Sequence, residues 1–193
     1  MSHARLRDET GRVLALDSSR WIEALRAADH RVLDLVEGPV LDVGCGPGRH
    51  VAAVAARGLL CLGIDVSEPA LARARGRGAP VLERSVFDRV PGAGRWGTVL
   101  LLDGNAGIGG RPAALLRRVR ALLRPGGRIL VELVPDGVPV TEARVRFELD
   151  GDVGPWFEWT HVTEARLAMA ARAAGLTVRR RWRDEGRTFA WLE

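Results

Sequence analysis

A glycine-rich turn early in the chain is the first feature whose residue types suggest chemistry. The apolar run Val40–Val43 predicts a short buried strand, and Gly44, Gly46 and Gly48 follow it before a helix begins near Arg49. Glycines let the chain turn sharply, and the first N–H groups of a helix have no partner within the helix. The segment therefore predicts a site where a ligand lies directly against the backbone.

Acidic residues near the next predicted strands have a spacing that fits the same site. Asp65 ends the apolar run Leu60–Asp65, about 20 residues after the turn, where a carboxylate can accept hydrogen bonds from both hydroxyls of a ribose. Asp88 follows the predicted strand Val81–Val86. Simpler interpretations remain open, since Asp65 could cap the next helix and Asp88 could be a turn residue. Asp42 lies within the first strand, where a charge without partners would be costly.

Together these segments resemble the class I S-adenosylmethionine-dependent methyltransferases. The resemblance rests on the pattern from Asp42 to Gly48, on the run Leu62–Ser67, and on Leu123–Arg128, which is similar to the family's turn into its fifth strand. A dinucleotide-binding loop would read Gly-x-Gly-x-x-Gly, and here the last glycine comes one residue early. The resemblance implies S-adenosylmethionine as the cofactor.

The resemblance also implies roles for individual residues. Asp42 would organise the turn and the methionine end of the cofactor, Asp65 would hold the ribose, and Asp88 would accept the adenine amino group. Apolar neighbours of Asp88 would line the adenine ring. The cofactor-binding residues expected on this basis are Asp42, Gly44, Cys45, Gly46, Gly48, Asp65, Val66, Phe87, Asp88 and Asp103.

The loop Asp103–Arg111 follows the fourth predicted strand and should face the transferred methyl group, since ligands bind beyond the carboxyl ends of such strands. Asn105 is the only asparagine in the chain. Asp103 is placed to accept from the cofactor's amino group or to hold a substrate proton. The four glycines of the loop also fit a plain tight loop, or an anion-binding nest beside Arg111.

His161 is a candidate general base, because histidine titrates near neutral pH and this residue precedes the last predicted helix, near the expected substrate mouth. Glu158 is a weaker candidate for the same role. The catalytic candidates are therefore His161, Asp103 and Asn105. No group of residues has metal-ligand spacing, so we expect no metal.

Alternating strands and helices would position these residues. The predicted strands of the first part are Val40–Val43, Leu60–Asp65, Val81–Val86, Thr98–Leu102 and Arg128–Leu133, with helices over Arg49–Arg57, Ser67–Arg75 and Pro112–Leu123 between them. After a helix over Thr163–Ala174, the strands Thr177–Arg183 and Thr188–Leu192 form a hairpin. The pattern predicts an α/β, Rossmann-like, seven-stranded and mostly parallel sheet, with helices on both faces and an antiparallel C-terminal hairpin strand.

We expect one domain over residues 1–193. Its parts are an N-terminal arm and helix (1–38), a cofactor-binding core (39–133), an inserted hairpin or lid (134–161), and a C-terminal helix and hairpin (162–193). Residues 1–18 are expected to be a loose arm, followed by a helix over Arg20–Val36 capped by Ser18 or Ser19. A loop packed by its tryptophans is the alternative for the insertion. The apolar walls of an acceptor pocket are expected from Trp21, Trp156, Phe157 and Trp159.

Composition limits the remaining classes of function. The net charge is +5, but every basic residue is arginine, which indicates a compositional bias more than a nucleic-acid interface. No apolar run reaches the roughly 18 residues that span a membrane, and no signal peptide is evident, so we expect a cytoplasmic protein with two reduced cysteines. The resemblance favours a small-molecule acceptor. An RNA or protein methyltransferase and a non-catalytic cofactor-binding scaffold stay open as alternatives.

Overall fold

A seven-stranded sheet forms the centre of the computed structural model, which describes residues 4–14, 18–134 and 142–193. The strand order is β4-β3-β2-β5-β6-β10-β9. The strands are β2 (Val40–Val43), β3 (Cys61–Asp65), β4 (Val81–Glu83), β5 (Trp96–Leu101), β6 (Leu123–Leu133), β9 (Val178–Asp184) and β10 (Arg187–Leu192). Within the described ranges, no helix has the length and apolar character needed to cross a membrane.

The directions of the strands match the predicted fold class. β4, β3, β2, β5 and β6 pair in parallel, whereas β10 runs antiparallel to both β6 and β9. The central strands are buried on both faces, as their continuous apolar runs require. The expected mostly parallel sheet with an antiparallel C-terminal hairpin is confirmed.

Helices cover both faces of this sheet. On one face, α1 (Ala27–Leu33), α2 (Arg49–Ala56) and α3 (Glu68–Gly76) pack on a core that contains Leu100 and Phe189. On the other face, α4 (Pro112–Leu122) and α5 (Glu164–Ala174) pack on a core that contains Leu41 and Leu101. Because adjacent strand residues point to opposite faces, neighbours such as Leu100 and Leu101 contribute to different cores.

A second, three-stranded antiparallel sheet lies outside the seven-stranded one, with the order β1-β7-β8. It consists of β1 (Ala4–Asp8), β7 (Glu142–Leu149) and β8 (Asp152–Thr160). The prediction of a loose N-terminal arm is therefore wrong for Ala4–Asp8, which pairs with β7. The insertion contains a hairpin, while its residues 135–141 lie outside the described part of the chain.

Ion pairs with one buried glutamate of β7 explain why β1 is held in place. The carboxylate of Glu148 is buried and accepts from Arg5 Nε at 2.7 Å, from Arg7 Nε at 3.0 Å and from Arg146 Nη2 at 2.8 Å. These charges hold the pKa of Glu148 at about 2, against the effect of its burial, which raises the pKa. On the opposite face of β1, Leu6 is buried in a separate apolar cluster. The alternation of β1 therefore fits a strand with one polar and one apolar face.

Strand β8 connects this second sheet to the loop after β5. The N–H of Gly109 donates to the carbonyl of Glu158 at 2.7 Å, and the indole Nε1 of Trp159 donates to the carbonyl of Gly104 at 3.1 Å. Ile108 and Trp159 form an isolated antiparallel bridge. The second sheet thus lies over the carboxyl ends of the central strands.

Two predicted elements are shorter in the structure. The expected helix Arg20–Val36 is reduced to α1, because the side chain of Asp29 accepts from the backbone N–H of Arg26 at 2.9 Å and caps the helix there. Ser18–Trp21 forms a separate turn of 3-10 helix. The side chains of Ser18 and Ser19, the predicted caps, lie outside the described part. Strand β4 ends at Glu83, because a turn follows at Ser85. The hydroxyl of Ser85 accepts from the N–H of Phe87, and its carbonyl accepts from the N–H of Asp88.

A network of buried charges links helices to strands beneath the loop after β5. Asp29, which is 1% exposed, accepts from Arg49 Nη1 at 2.9 Å and from Arg187 Nη1 at 2.7 Å. Arg187 also donates to Glu132 Oε2 at 2.7 Å, and Glu132 Oε2 accepts from the N–H of Asp103 at 2.9 Å. Each charge of this network therefore has a partner of opposite sign, which offsets the cost of burying it.

Replacing Arg187 with Met tests how strongly the fold depends on this network. The variant leaves Asp29 and Glu132 buried with fewer partners, so we expect a loss of about 3–5 kcal/mol in the free energy of unfolding. Chemical denaturation measures it. Arg144→Met, which removes an exposed pair with Glu9, is the control and should cost less than about 1 kcal/mol. Equal effects of the two substitutions would contradict the assignment.

Candidate functional site

One cavity of about 270 Å³ opens at the carboxyl ends of β2, β3 and β5. The glycine turn after β2 and the loop after β5 form its floor, and residues of β1, β7 and β8 contribute to its lining. Open α/β sheets bind ligands at this edge, where the strand order reverses. In this chain β2 lies between β3 and β5, so the cavity stands at that reversal.

Hydrogen bonds to β3 hold the glycine turn on one side, and its other side is open. The N–H groups of Gly44 and Cys45 both donate to the carbonyl of Ile64, at 2.8 and 3.1 Å. A Cβ on Gly44 would lie 2.8 Å from Ile108 and 2.9 Å from Asn105, so only glycine fits there. A Cβ on Gly46, where φ is +50°, would meet no atom within 4 Å. The turn thus presents bare backbone to open space.

Asp65 lies beside this turn at the end of β3 and lines the cavity. Its carboxylate accepts from the N–H of Gly46 at 2.8 Å and from the N–H of Ser67 at 2.8 Å. Burial raises the pKa of Asp65, and these backbone hydrogen bonds act in the opposite direction. The contact with Ser67 lies just before α3 and does not cap that helix, whose first residue is Glu68, and the contact with Gly46 connects the same carboxylate to the glycine turn. Each oxygen accepts one of these bonds and keeps further acceptor capacity.

Asp42 lies beneath the turn and is 2% exposed. Its Oδ2 atom has no hydrogen-bond partner among the described residues. Burial raises the pKa of Asp42 to about 6, with Asp103 and Asp65 acting in the same direction and His50 and Arg49 against it. This carboxyl is not among the residues that line the cavity. It is a buried acceptor that lacks a donor.

Asp103 lines the cavity, but its carboxylate is already engaged. Arg49 Nη2 donates to both of its oxygens at 2.9 Å, and Arg20 Nη2 and Arg187 Nη2 lie at 4.0 and 3.7 Å. Burial raises the pKa of Asp103, but these cations and His50 outweigh that effect and lower it. The expected roles, accepting from a cofactor amino group or holding a substrate proton, would have to share the carboxylate with Arg49.

Asn105 lies at the cavity and its side chain holds the glycine turn. Its Nδ2 donates to the carbonyls of Val43 at 3.0 Å and Gly44 at 2.8 Å. Both amide hydrogens are therefore used on the turn. The predicted catalytic role remains a prediction, and the observed contacts indicate a positioning role.

The residues expected around an adenine ring divide into two groups. Val66 and Phe87 line the cavity, as does Cys45, whose burial raises the pKa of its thiol well above the ordinary value. Asp88 is exposed and is not among the cavity-lining residues. The expected contact of Asp88 with an adenine amino group stays a prediction. The turn at Ser85, whose hydroxyl accepts from the N–H of Phe87, leads to a Phe87 side chain that lines the cavity.

His161 is 6% exposed, its ring packs edge-on against Trp159 with centroids 4.7 Å apart, and it is not among the cavity-lining residues. Its role as a general base stays a prediction. The weaker candidate, Glu158, is exposed and lines the cavity.

Three of the four predicted apolar wall residues line the cavity, namely Trp21, Phe157 and Trp159. Trp156 does not, and instead packs under Arg146 with the guanidinium carbon 4.9 Å from the ring centroid. Leu6 and Phe147 complete the wall and were not predicted. The alternation in β1 was the available signal for Leu6, but its pairing with a strand about 140 residues away was not visible in the sequence.

Arg49 is a further cavity-lining residue that was not predicted from the sequence. It begins α2 and lines the cavity while being 5% exposed. A cation at a helix N-terminus opposes the helix dipole, so it indicates a specific partner for the arginine. In the structure those partners are Asp29 and Asp103, and the unfavourable position of Arg49 was the sequence feature that could have indicated them.

The raised pKa of Asp42 predicts a pH dependence of stability. A carboxyl whose folded pKa exceeds its unfolded value of 3.8 stabilises the fold at low pH, and this contribution is lost as pH rises through about 6. Asp42→Asn keeps the group neutral, so we expect its melting temperature relative to the unsubstituted protein to be more favourable at about pH 8 than at about pH 4.

Thermal unfolding of the ligand-free protein at several pH values checks this expectation. Asp34→Asn removes an exposed carboxyl at the end of α1 and serves as the control. If the difference between Asp42→Asn and the unsubstituted protein were the same at both pH values, folding would not raise the pKa of Asp42.

Known proteins resemble both the sequence and the fold. Residues 40–127 match the family model described as a methyltransferase domain. Uncharacterized proteins of Mycobacterium tuberculosis and Mycobacterium bovis are 31% identical over 113 residues, which are 58% of this chain and 38% of each of those proteins. The match thus spans about two fifths of the length of these relatives.

Solved structures share the fold at lower identity. A S-adenosylmethionine-dependent methyltransferase from Bacteroides fragilis, in complex with S-adenosyl-L-homocysteine, has a TM-score of 0.75 and 21% identity, covering 98% of this chain and 86% of that one. The Burkholderia thailandensis 1,6-didemethyltoxoflavin-N1-methyltransferase, with 1,6-didemethyltoxoflavin and S-adenosylhomocysteine bound, has a TM-score of 0.61 and 22% identity, covering 86% and 77%. Residues 40–127 therefore match a methyltransferase domain, and the chain shares the fold of solved S-adenosylmethionine-dependent methyltransferases.

Proposed function

We propose that this chain transfers a methyl group from S-adenosylmethionine to a small-molecule acceptor. One observation carries the proposal: the glycine turn faces open space at Gly46, and the carboxylate of Asp65 lies directly beside it. A cofactor with an adenosyl group and an amino-acid end requires such a bare backbone surface next to an acceptor for its ribose hydroxyls.

The chemistry of the donor set fits that cofactor. Asp65 has acceptor capacity left for a ribose, and Val66 and Phe87 offer apolar surface for a flat ring. Among the described residues, Asp42 Oδ2 is a buried acceptor without a donor. A cationic amino-acid end bound at the turn above it would favour the ionised form of this carboxyl. The Bacteroides and Burkholderia neighbours hold S-adenosylhomocysteine on the same fold, which supports the proposal.

The chain's own residues would bind and orient the reactants. S-adenosylmethionine, when bound, supplies an electrophilic methyl group on a sulfonium. Asn105 holds the glycine turn in place by a hydrogen bond to Gly44, and Trp159 holds the loop after β5 by a hydrogen bond to Gly104. Positioning of this kind can supply much of the rate of a displacement reaction. If the acceptor must lose a proton, the exposed carboxylate of Glu158 is available at the cavity.

A small acceptor is supported by the cover over the cavity. Strands β1, β7 and β8 lie over the carboxyl ends of the central strands and contribute Leu6, Phe147 and Phe157 to the lining. The Burkholderia neighbour holds its small substrate together with the cofactor product. A long RNA or protein segment would have to reach the glycine turn past this sheet.

Calorimetric titration with S-adenosylmethionine, S-adenosylhomocysteine and NAD tests the cofactor. We expect both adenosyl ligands to bind in preference to NAD, and Asp65→Ala to weaken them by about tenfold or more, because a charged acceptor is lost. Asp34→Ala is the matched control, since that carboxylate is exposed at the end of α1 and outside the cavity lining. Folded protein that binds neither adenosyl ligand would contradict the proposal.

Asn105→Ala distinguishes a positioning role from a catalytic one. Because the amide donates twice to the glycine turn, we expect its loss to weaken S-adenosylhomocysteine binding by about tenfold, the cost of one or two buried hydrogen bonds. A catalytic role alone would leave the affinity for this unreactive product unchanged. Calorimetry of the variant gives the answer without an acceptor.

A further inference from the structure

An apolar wall lines the side of the cavity that the methyltransferase-domain match does not include. It consists of Leu6, Trp21, Phe147, Phe157 and Trp159. All five lie outside residues 40–127, whereas the glycine turn, Asp65, Val66 and Phe87 lie within them. The cavity is therefore lined on one side by the matched domain and on the other by these five residues from outside the match, which we call the aromatic wall.

The aromatic wall offers mainly ring surface, and its only side-chain polar groups are the indole N–H groups of Trp21 and Trp159. The rings of Trp21 and Phe147 lie 5.5 Å apart at an angle of 46°, a tilted aromatic contact. The polar atom of Trp159 is already used, because its indole N–H donates to the carbonyl of Gly104. Aromatic rings pair with other rings in offset-stacked or edge-to-face arrangements, so a planar ring can pack against this wall.

The charged groups that line the cavity leave no free buried charge beside this wall. Arg49 and Asp103 neutralise each other, and Asp65 is held by backbone N–H groups at the glycine turn. Arg84 and Glu158 are exposed. An acceptor with an ionised group against the wall would lose hydration without gaining a buried partner, which is costly.

From this arrangement we propose that the acceptor is a planar, uncharged aromatic molecule that binds against the aromatic wall. The inference rests on the proposed function and specifies the acceptor class for the same site. The volume of about 270 Å³, shared with the cofactor, limits the acceptor to a small ring system. Trp21 and Phe157 would determine specificity, since both rings line the cavity from outside the matched domain.

Binding to protein saturated with S-adenosylhomocysteine tests the proposal without a reaction. The probes are indole and quinoline as planar uncharged rings, indole-3-acetate as the charged analogue of indole, and cyclohexanol as an aliphatic ring. We expect indole and quinoline to bind more tightly than the other two in calorimetric titrations. Equal affinity for cyclohexanol or indole-3-acetate would overturn the proposal while leaving the cofactor assignment intact.

Substitutions that keep apolar volume but remove a ring provide the second measurement. We expect Trp21→Leu and Phe157→Leu each to weaken indole binding by about two- to tenfold, the range for a lost aromatic contact. Trp156→Leu is the matched control, because Trp156 packs under Arg146 outside the cavity lining. S-adenosylhomocysteine affinity, unchanged in all three, shows that the variants are folded.

The outcomes separate the two proposals. Unchanged indole affinity in both wall variants, with normal S-adenosylhomocysteine binding, would overturn the aromatic acceptor alone. Failure of the unsubstituted protein to bind S-adenosylhomocysteine would overturn the proposed function and the acceptor class with it. Tighter binding of the planar rings that depends on Trp21 or Phe157 and not on Trp156 would support the proposal.

Discussion

The buried carboxylate of Asp29 is the point on which the arrangement of the site depends. It binds Arg49 at the start of α2 and Arg187 at the start of β10, so one side chain of α1 joins three elements that are distant in sequence. Burying these charges is expensive, and the attraction offsets that cost only when every charge has a well-placed partner. The network therefore favours one relative position of α1, α2 and β10.

The same network reaches the cavity through Asp103. This residue has φ of +56°, a left-handed conformation that is uncommon outside glycine, and it follows β5 directly. Its N–H donates to Glu132 and its carboxylate pairs with Arg49, so both ends of the residue are fixed by charges. The loop that carries Asn105 to the glycine turn begins at this fixed point. The glycine turn is thus connected to the buried ion pairs through Asp103 and Asn105.

The site combines a local motif with a distant cover. The glycine turn and Asp65 meet because β2 and β3 are paired strands whose carboxyl ends lie at the same edge. The cover forms because Glu148 collects three arginines and holds β1 on β7, and because β8 hydrogen-bonds to the loop after β5. Because separate contacts hold the cover and the glycine turn, substitutions in the cover can change the cavity wall and leave the glycine turn unchanged.

The sequence by itself determined the sheet, the glycine turn and the positions of Asp42 and Asp65, because apolar periodicity and glycine spacing are local properties. It did not determine the pairing of Ala4–Asp8 with β7, the engagement of Asp103 by Arg49, or the positions of Asp88 and His161 relative to the cavity. Those features arise from contacts between segments far apart in the chain, or from a single turn such as the one at Ser85. Only the tertiary structure decides which of several charged or aromatic side chains meet, because each of them has more than one acceptable partner in the sequence.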